Sequence, residues 1–331
     1  MTGAQATVNE RPWLRASAWL RMFRERPVVP LLGLLVILMV AFVVLNPRAN
    51  VPDWIGATLR ASVPLAMLAG CQTLVMLTAG IDLSVAATAS MAAFVAASML
   101  ESQGLALAIL IPLLIAVLIG VVNGIGVGVF RVHPLIMTLG MGLVIFGGSN
   151  AWQLLTVRTS SGVPAEIIWL GSATVLRIVP VSLLVFVPVA AAILIGLRRT
   201  GYGRLLFAIG DNPVAARLSG ARSWQVLVVL YAISAVLAAI AGYLISGFSS
   251  VASVTLGDSY LLPSVAAAVI GGTSIFGGRG GYGGTIVGAL ILTVVTSLLY
   301  SLGVPEAVRQ ILFGAIIVAV AAGYARVTTE T

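Results

Sequence analysis

Ten times along this chain the side chains turn apolar for about the thickness of a lipid bilayer. The first run, VVPLLGLLVILMVAFVVLN (28–46), contains no charged residue. A helix needs about 20 mostly apolar residues to cross the ~30 Å hydrocarbon core. Nine further runs follow, at 61–80, 84–100, 105–129, 135–156, 179–197, 224–247, 260–276, 283–302 and 308–325. The third is short and the eighth is broken up by glycine. The chain is 60% hydrophobic and 8% charged, whereas soluble domains carry about 25% charged residues. The sequence therefore predicts an all-α, polytopic membrane protein of about ten transmembrane helices. Its 36 glycines suit helices that pack closely in lipid. Residues 1–27 read as a basic N-terminal segment, 28–325 as the transmembrane domain and 326–331 as a tail. The basic stretch is long, and no small-residue cleavage site follows 28–46. That run reads as a retained span, not a cleaved signal.

The formal net charge of +8 comes from arginine alone, since the chain has no lysine. This charge reports topology and gives no reason to expect nucleic acid as a partner. With the N-terminus inside, Arg11, Arg15, Arg21, Arg24, Arg26, Arg131, Arg198, Arg199, Arg204, Arg217, Arg222, Arg279 and Arg326 all fall on the cytoplasmic side. Arg48, Arg60, Arg158, Arg177 and Arg309 fall outside. Thirteen of eighteen inside is the asymmetry that orients membrane proteins. Both termini and the basic loop 198–223 are then cytoplasmic. The loop 157–178 lies outside and has enough apolar residues for a small surface helix or hairpin.

Between two apolar runs stands Thr-Ala-Gly-Ile-Asp-Leu-Ser (78–84). A carboxylate near the bilayer centre costs roughly 2.5–3.5 kcal/mol on insertion scales, so Asp82 sits at an interface, faces a polar path or has a partner. Two roles stay open for Asp82 and Ser84. One is a cap on the helix that follows; the other is a polar element beside a translocation path. A second glycine-rich break, GGTSIFGGRGGYGG (271–284), divides the other half of the chain. Paired breaks in two halves can mark a transporter's internal two-fold repeat. The second break is not a phosphate loop, which requires G-x-x-x-x-G-K-[ST]. Gly271 and Gly272 instead permit tight turns, and Arg279 can anchor the turn at the inner face or pair with an acid. Asn123, Asn150, Trp152 and Gln153 lie in or near spans. They suit either a neutral sugar or hydrogen bonds between helices. Cys71 and His133 are the only residues of their kinds. They exclude an intrachain disulfide and a cysteine-based zinc site, and no metal site is expected.

The inner loop carries a short-helix signature. Asp211 or Asn212 can cap it, Pro213 suits the first helical position and Gly220 the stop. Val214 and Leu218 share a face with Arg217 beside them. Such a helix is too short to persist alone; it rests on lipid or serves as a ledge for a cytoplasmic protein.

The stretch TGYGRLLFAIGDNPVAARLSG (200–220) resembles the cytoplasmic signature of bacterial ABC sugar permeases of the ribose/xylose/galactose class, carbohydrate uptake class 2. GIDLSV (80–85), VVNGIGVGVFRVHPLIMTLGM (121–141) and AAAVIGGTSIFGGRGG (266–281) match in order. Together the matches reach from about residue 61 to the C-terminus. The resemblance implies a permease subunit in the bacterial inner membrane that moves a monosaccharide or polyol by alternating access. It would pair with a second permease copy or homologue. ATP and Mg would be bound by partner ABC ATPase subunits inside, and a sugar-binding protein would dock outside. This chain itself would bind no cofactor and would not be an enzyme. The coupling role falls on Asp211, Asn212, Pro213, Ala216, Arg217 and Gly220, with Gly203 and Arg204 leading in. The family usually has glycine where Asp211 and Ala86 stand; Asp211 can still cap, and Ala86 is small enough for close packing. The rivals are a branched-chain amino acid permease, an ion-coupled secondary transporter and a membrane enzyme. The first would have a different cytoplasmic signature. The second usually needs several intramembrane acids, and the third lacks an acidic cluster.

Overall fold

The computed structural model describes residues 28–156 and 162–329, with side chains through residue 318. The helices among them are α1 (Val28–Leu45), α2 (Val51–Met76), α3 (Val85–Gly128), α4 (Pro134–Thr156), α5 (Ala165–Ser172), α6 (Leu183–Arg199), α7 (Gly201–Asp211), α8 (Pro213–Leu218), α9 (Ser223–Ser249), α10 (Asp258–Ile270), α11 (Tyr282–Ser301) and α12 (Glu306–Thr329). A two-stranded antiparallel hairpin, β1 (Thr174–Val175) and β2 (Val179–Pro180), follows α5. The basic segment 1–27 and Arg158 lie outside the described residues.

Six of these helices are long and apolar enough to cross a membrane, or seven if the bent pair α6–α7 counts as one span. Helix α3, at 44 residues, would run to about 66 Å if straight, twice the hydrocarbon core. It breaks at Gly104, whose φ of 74° and ψ of 168° are not helical. The two halves match the runs predicted at 84–100 and 105–129. The eighth run differs in kind. Helix α10 has 13 residues, about 20 Å, and stops at Ile270, so 271–276 enters a turn instead of continuing the span. The count of ten spans is therefore approximate. Helix α2 starts at Val51, ten residues before the predicted 61, and ends at Met76, ahead of a turn in which Ala79 takes a φ of 61°. Residues 179–182 belong to the hairpin and its exit, and α6 starts at Leu183.

Helix α2 forms the buried axis; from Ser62 to Met76 every residue is buried. Around it pack α6, α9, α10 and α11. A long, close crossing joins α3 to α9. A Cβ on Gly120 would fall 2.4 Å from the Tyr231 carbonyl oxygen, and one on Gly124 would fall 2.4 Å from the Val228 Cα. On Gly242 it would lie 2.1 Å from the Ala89 carbonyl oxygen. Glycines four apart on one face let two backbones touch, as membrane helices use in place of hydrophobic drive. Helices α1 and α4 lie at the rim and expose Ile37, Val44, Leu143 and Leu154. In water such a surface would aggregate; in lipid it is the solvated face.

The two ends of the bundle differ. At one end α5 and the hairpin cover the start of α2 and the end of α9, with Arg60 Nη1 donating to the Ser172 carbonyl at 2.6 Å and its guanidinium over the Phe248 ring. The loop 157–178, expected to hold a small helix or a hairpin, contains α5 and the first strand of the hairpin, whose second strand lies just beyond it. At the other end lie α7, α8 and the glycine-rich turn.

Candidate functional site

The end of the bundle around α8 is built by caps and by bends at glycine. Helix α6 gives way to α7 at an angle of 69°. The Thr200 hydroxyl oxygen caps α7 by accepting from the Gly203 N–H at 3.1 Å. A Cβ on Gly203 would lie 2.4 Å from the carbonyl oxygens of Gly196 and Leu197, so only glycine lets α7 fold back on α6. Gly203, Leu206, Ile209 and Gly210 form its buried face, while Arg204 points out. Gly203 and Arg204, expected only to lead into the coupling segment, lie in a helix of their own. The signal was present in the capping threonine and in apolar positions three and four apart.

Asn212, not Asp211, caps α8. Its Oδ1 accepts from the Val214 N–H at 3.1 Å and the Ala215 N–H at 2.9 Å. Asp211 ends α7 instead. Pro213 occupies the first turn, and Gly220 at φ 86° stops the helix. The helix predicted over 211–220 is thus six residues, Pro213–Leu218. Only Ala216 turns inward. Val214 is 54% exposed and Leu218 is 85% exposed, with Arg217 exposed beside them. Between α7, α8 and the start of α9 runs an open groove of about 620 Å³, lined by Leu205, Asp211, Asn212, Ser219 and Arg222 among others.

Deeper in the bundle Asp82 is 1% exposed and anchors a polar knot. Its Oδ1 accepts from the Ser84 N–H at 3.0 Å and the Ser84 hydroxyl at 2.6 Å; its Oδ2 accepts from the Ser234 hydroxyl at 3.2 Å. The Gln72 amide clasps the Asp82 main chain, with Nε2 donating to the carbonyl at 2.8 Å and Oε1 accepting from the N–H at 3.3 Å. Asn123 Nδ2 donates to Ser84 Oγ at 2.9 Å. This is an aspartate turn bonding the main chain two residues on, placed to open α3. Ser84 is the residue before α3 but makes no side-chain cap bond. Asp82 accepts from the N–H of that residue, one step ahead of the helix, and among the described residues no side chain caps the first turn of α3 itself.

The remaining predicted residues do not converge. Trp152 Nε1 donates to Ser98 Oγ at 2.9 Å and ties α4 to α3. Asn150 Nδ2 donates to its own helix at Phe146. Asn150 and Gln153 stay partly exposed on α4. Gly271 packs backbone to backbone on Gly284 and Thr285, and Gly272 takes a φ of 88°. The Arg279 carbonyl accepts from the Ser274 N–H at 2.9 Å and closes the turn, while its side chain is exposed. Ala86 is buried, with its carbonyl against Gly257, so close packing survives alanine there. Among the described residues no group of three His, Cys, Asp or Glu could hold a metal ion.

The family described as a branched-chain amino acid transport system / permease component matches residues 54–321. The ribose import permease protein of Bacillus subtilis is 36% identical over 290 residues, 87% of this chain and 89% of that protein. The fructose import permease protein of Rhizobium meliloti is 30% identical over 303 residues, 88% of this chain and 82% of that one. The autoinducer 2 import system permease protein of Escherichia coli K12 is 32% identical over 302 residues, 88% of this chain and 90% of its own. No solved structure matches.

Proposed function

Because the chain belongs to the branched-chain amino acid transport system / permease component family, we propose that it is the permease subunit of an ATP-driven importer for a monosaccharide or related polyol. The observation that carries this reading is α8. A six-residue helix has too few internal bonds to persist alone. Yet this one is capped at both ends and holds Val214, Arg217 and Leu218 out from the bundle. That arrangement suits a ledge pressed by another protein. The ATPase, with its ATP and Mg, would be that protein, and a solute-binding protein would dock at the α5 end. A second permease copy or homologue would complete the path. We assign Asn150 and Gln153 on α4 to that path, since they are the partly exposed amides, and leave Asp82, Ser84 and Asn123 to the knot. The relatives named for ribose, fructose and autoinducer 2 support a hydroxylated solute. The family description names branched-chain amino acids, which makes leucine the competing probe.

Reconstituted alone in nanodiscs, the chain should hydrolyse no ATP above background. In proteoliposomes with its ATPase and solute-binding partners it should accumulate radiolabelled ribose or fructose only when ATP is present. Leucine uptake in place of sugar would assign the chain to the amino acid branch. Accumulation driven by an ion gradient without the ATPase would refute the importer reading.

We further propose that the membrane is the bacterial inner membrane and that both termini and the α8 end are cytoplasmic. Among the described residues, Arg131, Arg198, Arg199, Arg204, Arg217, Arg222 and Arg279 sit at or beside that end, against Arg48, Arg60, Arg177 and Arg309 at the other. Single cysteines on a Cys71→Ala background should react with an impermeant thiol reagent in intact cells at residue 176 but not at residue 208. Labelling at 208 and not at 176 would invert the orientation.

A further inference from the structure

The two glycine-rich breaks, one in each half of the chain, meet at the end of α7. The Gly278 N–H donates to the Leu77 carbonyl at 3.1 Å. Gly210, in the last turn of α7, lies over this bond. A Cβ there would fall 1.8 Å from the Leu77 carbonyl oxygen and 2.6 Å from the Gly278 nitrogen. On the facing side, a Cβ on Gly277 would fall 2.7 Å from the Gly210 carbonyl oxygen and 3.0 Å from the Ala79 Cβ. Gly277 and Gly278 have φ of 88° and 68°, and Ala79 has φ of 61°, a conformation that side chains other than glycine's seldom adopt. Three segments far apart in sequence thus touch main chain to main chain.

Each partner of this joint is fixed behind it. On one side Leu77 leads into the tight turn 77–80, closed by the Ala79 N–H on the Met76 carbonyl at 2.9 Å and the Gly80 N–H on the Val75 carbonyl at 3.2 Å. Two residues on, Asp82 is held by Gln72, Ser84 and Ser234. On the other side Gly271 lies against Gly284 and Thr285, and the Thr285 and Thr73 hydroxyls share a 2.7 Å hydrogen bond. Side chains can absorb a displacement by changing rotamer; backbones in contact have no such freedom, and packed interiors pass strain on.

We propose that Gly210 is the positioning residue that joins the exposed α7–α8 ledge to both broken segments, so that ledge, Asp82 turn and glycine-rich turn move as one body. The role of this movement rests on the proposed function, whereas the joint itself does not. Gly271, Gly272 and Arg279 thereby gain a place in coupling instead of on the path.

The test is Gly210→Ala in proteoliposomes with the ATPase and solute-binding partners, with radiolabelled ribose as probe. Alanine favours an isolated helix over glycine, so a loss reports the joint and not the helix. The expected result is continued ATP hydrolysis, normal ATPase copurification and at least a tenfold fall in ribose taken up per ATP. Gly201→Ala in the same helix should change nothing, since its nearest neighbour would be Arg204 Nη2 at 3.7 Å. Unchanged ribose per ATP in Gly210→Ala would overturn the proposal.

A second arm covers a Gly210→Ala chain that fails to fold. Asp211→Cys with Gly278→Cys on Cys71→Ala places the two Cβ atoms about 3.1 Å apart. The pair should cross-link in membranes to the same extent with and without ATP, as a joint that moves as one body requires. No cross-link, or a cross-link that forms only in the presence or only in the absence of ATP, would overturn the proposal. If the unmodified chain takes up no ribose, the importer reading fails, and cross-link formation alone then decides on the joint.

Discussion

Asp82→Ala is expected to lower the thermal midpoint of the chain markedly, whereas Asp82→Asn should leave it nearly unchanged. The alanine variant removes the acceptor for the Ser84 N–H, the Ser84 hydroxyl and the Ser234 hydroxyl at once. Each buried donor left without a partner costs about 1–3 kcal/mol. Hydrogen bonds between membrane helices average nearer 0.6 kcal/mol, because the reference state in lipid finds other partners. The sum is about 2–5 kcal/mol, a large share of the ~5–15 kcal/mol typical of whole domains. Asparagine keeps an oxygen for both Ser84 bonds, and the Ser234 hydroxyl can turn to accept from the new amide. Detergent-solubilised chain should therefore show a midpoint about 10 °C lower for Asp82→Ala and within a few degrees of the unmodified chain for Asp82→Asn. The contrast is what discriminates. Were the carboxylate charge itself needed, both variants would fail together in uptake. Were Asp82 idle, neither would move the midpoint.

The second large effect is on transport and not on folding. Arg217→Glu should abolish ATP-dependent ribose uptake while the chain still reaches the membrane in normal amount. Arg217 is exposed on α8, and the ion pair among the described residues is Arg309 with Glu306. The substitution therefore breaks no bridge within the bundle, and the caps that hold α8, Asn212 and Gly220, stay in place. What changes is the charge presented beside Val214 and Leu218 to a docking partner. Truncating one member of a desolvated charged contact costs about 2–5 kcal/mol, and like charges repel further. Copurification of the ATPase should fall at least tenfold along with uptake. If both stay normal, α8 is not the contact that conveys the ATPase stroke.

Much of the fold was legible from the chain alone, and the reasons are local. The bilayer supplies no partners for peptide groups, so an apolar run of about twenty residues has only the helix available to it. That fixed the placement of 28–46, 135–156 and 224–247 to within a residue or two of α1, α4 and α9. Capping chemistry is equally local, which is why Pro213 and Gly220 located α8. Asp211 and Asn212 could not be told apart as caps, because the choice depends on where α7 stops.

The failures share a physical origin. A span surrounded by lipid is apolar on every face, so periodicity that marks the buried side of a soluble helix says nothing here. Nothing in the sequence pattern distinguished buried α2 from the rim helices α1 and α4. Nor did the pattern show that Asn123 joins the Asp82 knot while Asn150 stays on its own helix.

By itself, then, the sequence determined that the chain spans a membrane as helices, where α1, α4, α9 and α11 begin and end to within a residue or two, and that a short capped helix projects between α6 and α9. Those outcomes depend on lipid thickness, peptide hydrogen bonding and residues at most four apart. Only the tertiary structure decided that Asp82 is buried and held by Ser84 and Ser234, that α10 stops short of a full span, and that Leu77, Gly210 and Gly278 meet. Such contacts are set by how closely backbones approach, and that depends on residues hundreds of positions apart finding the same few ångströms.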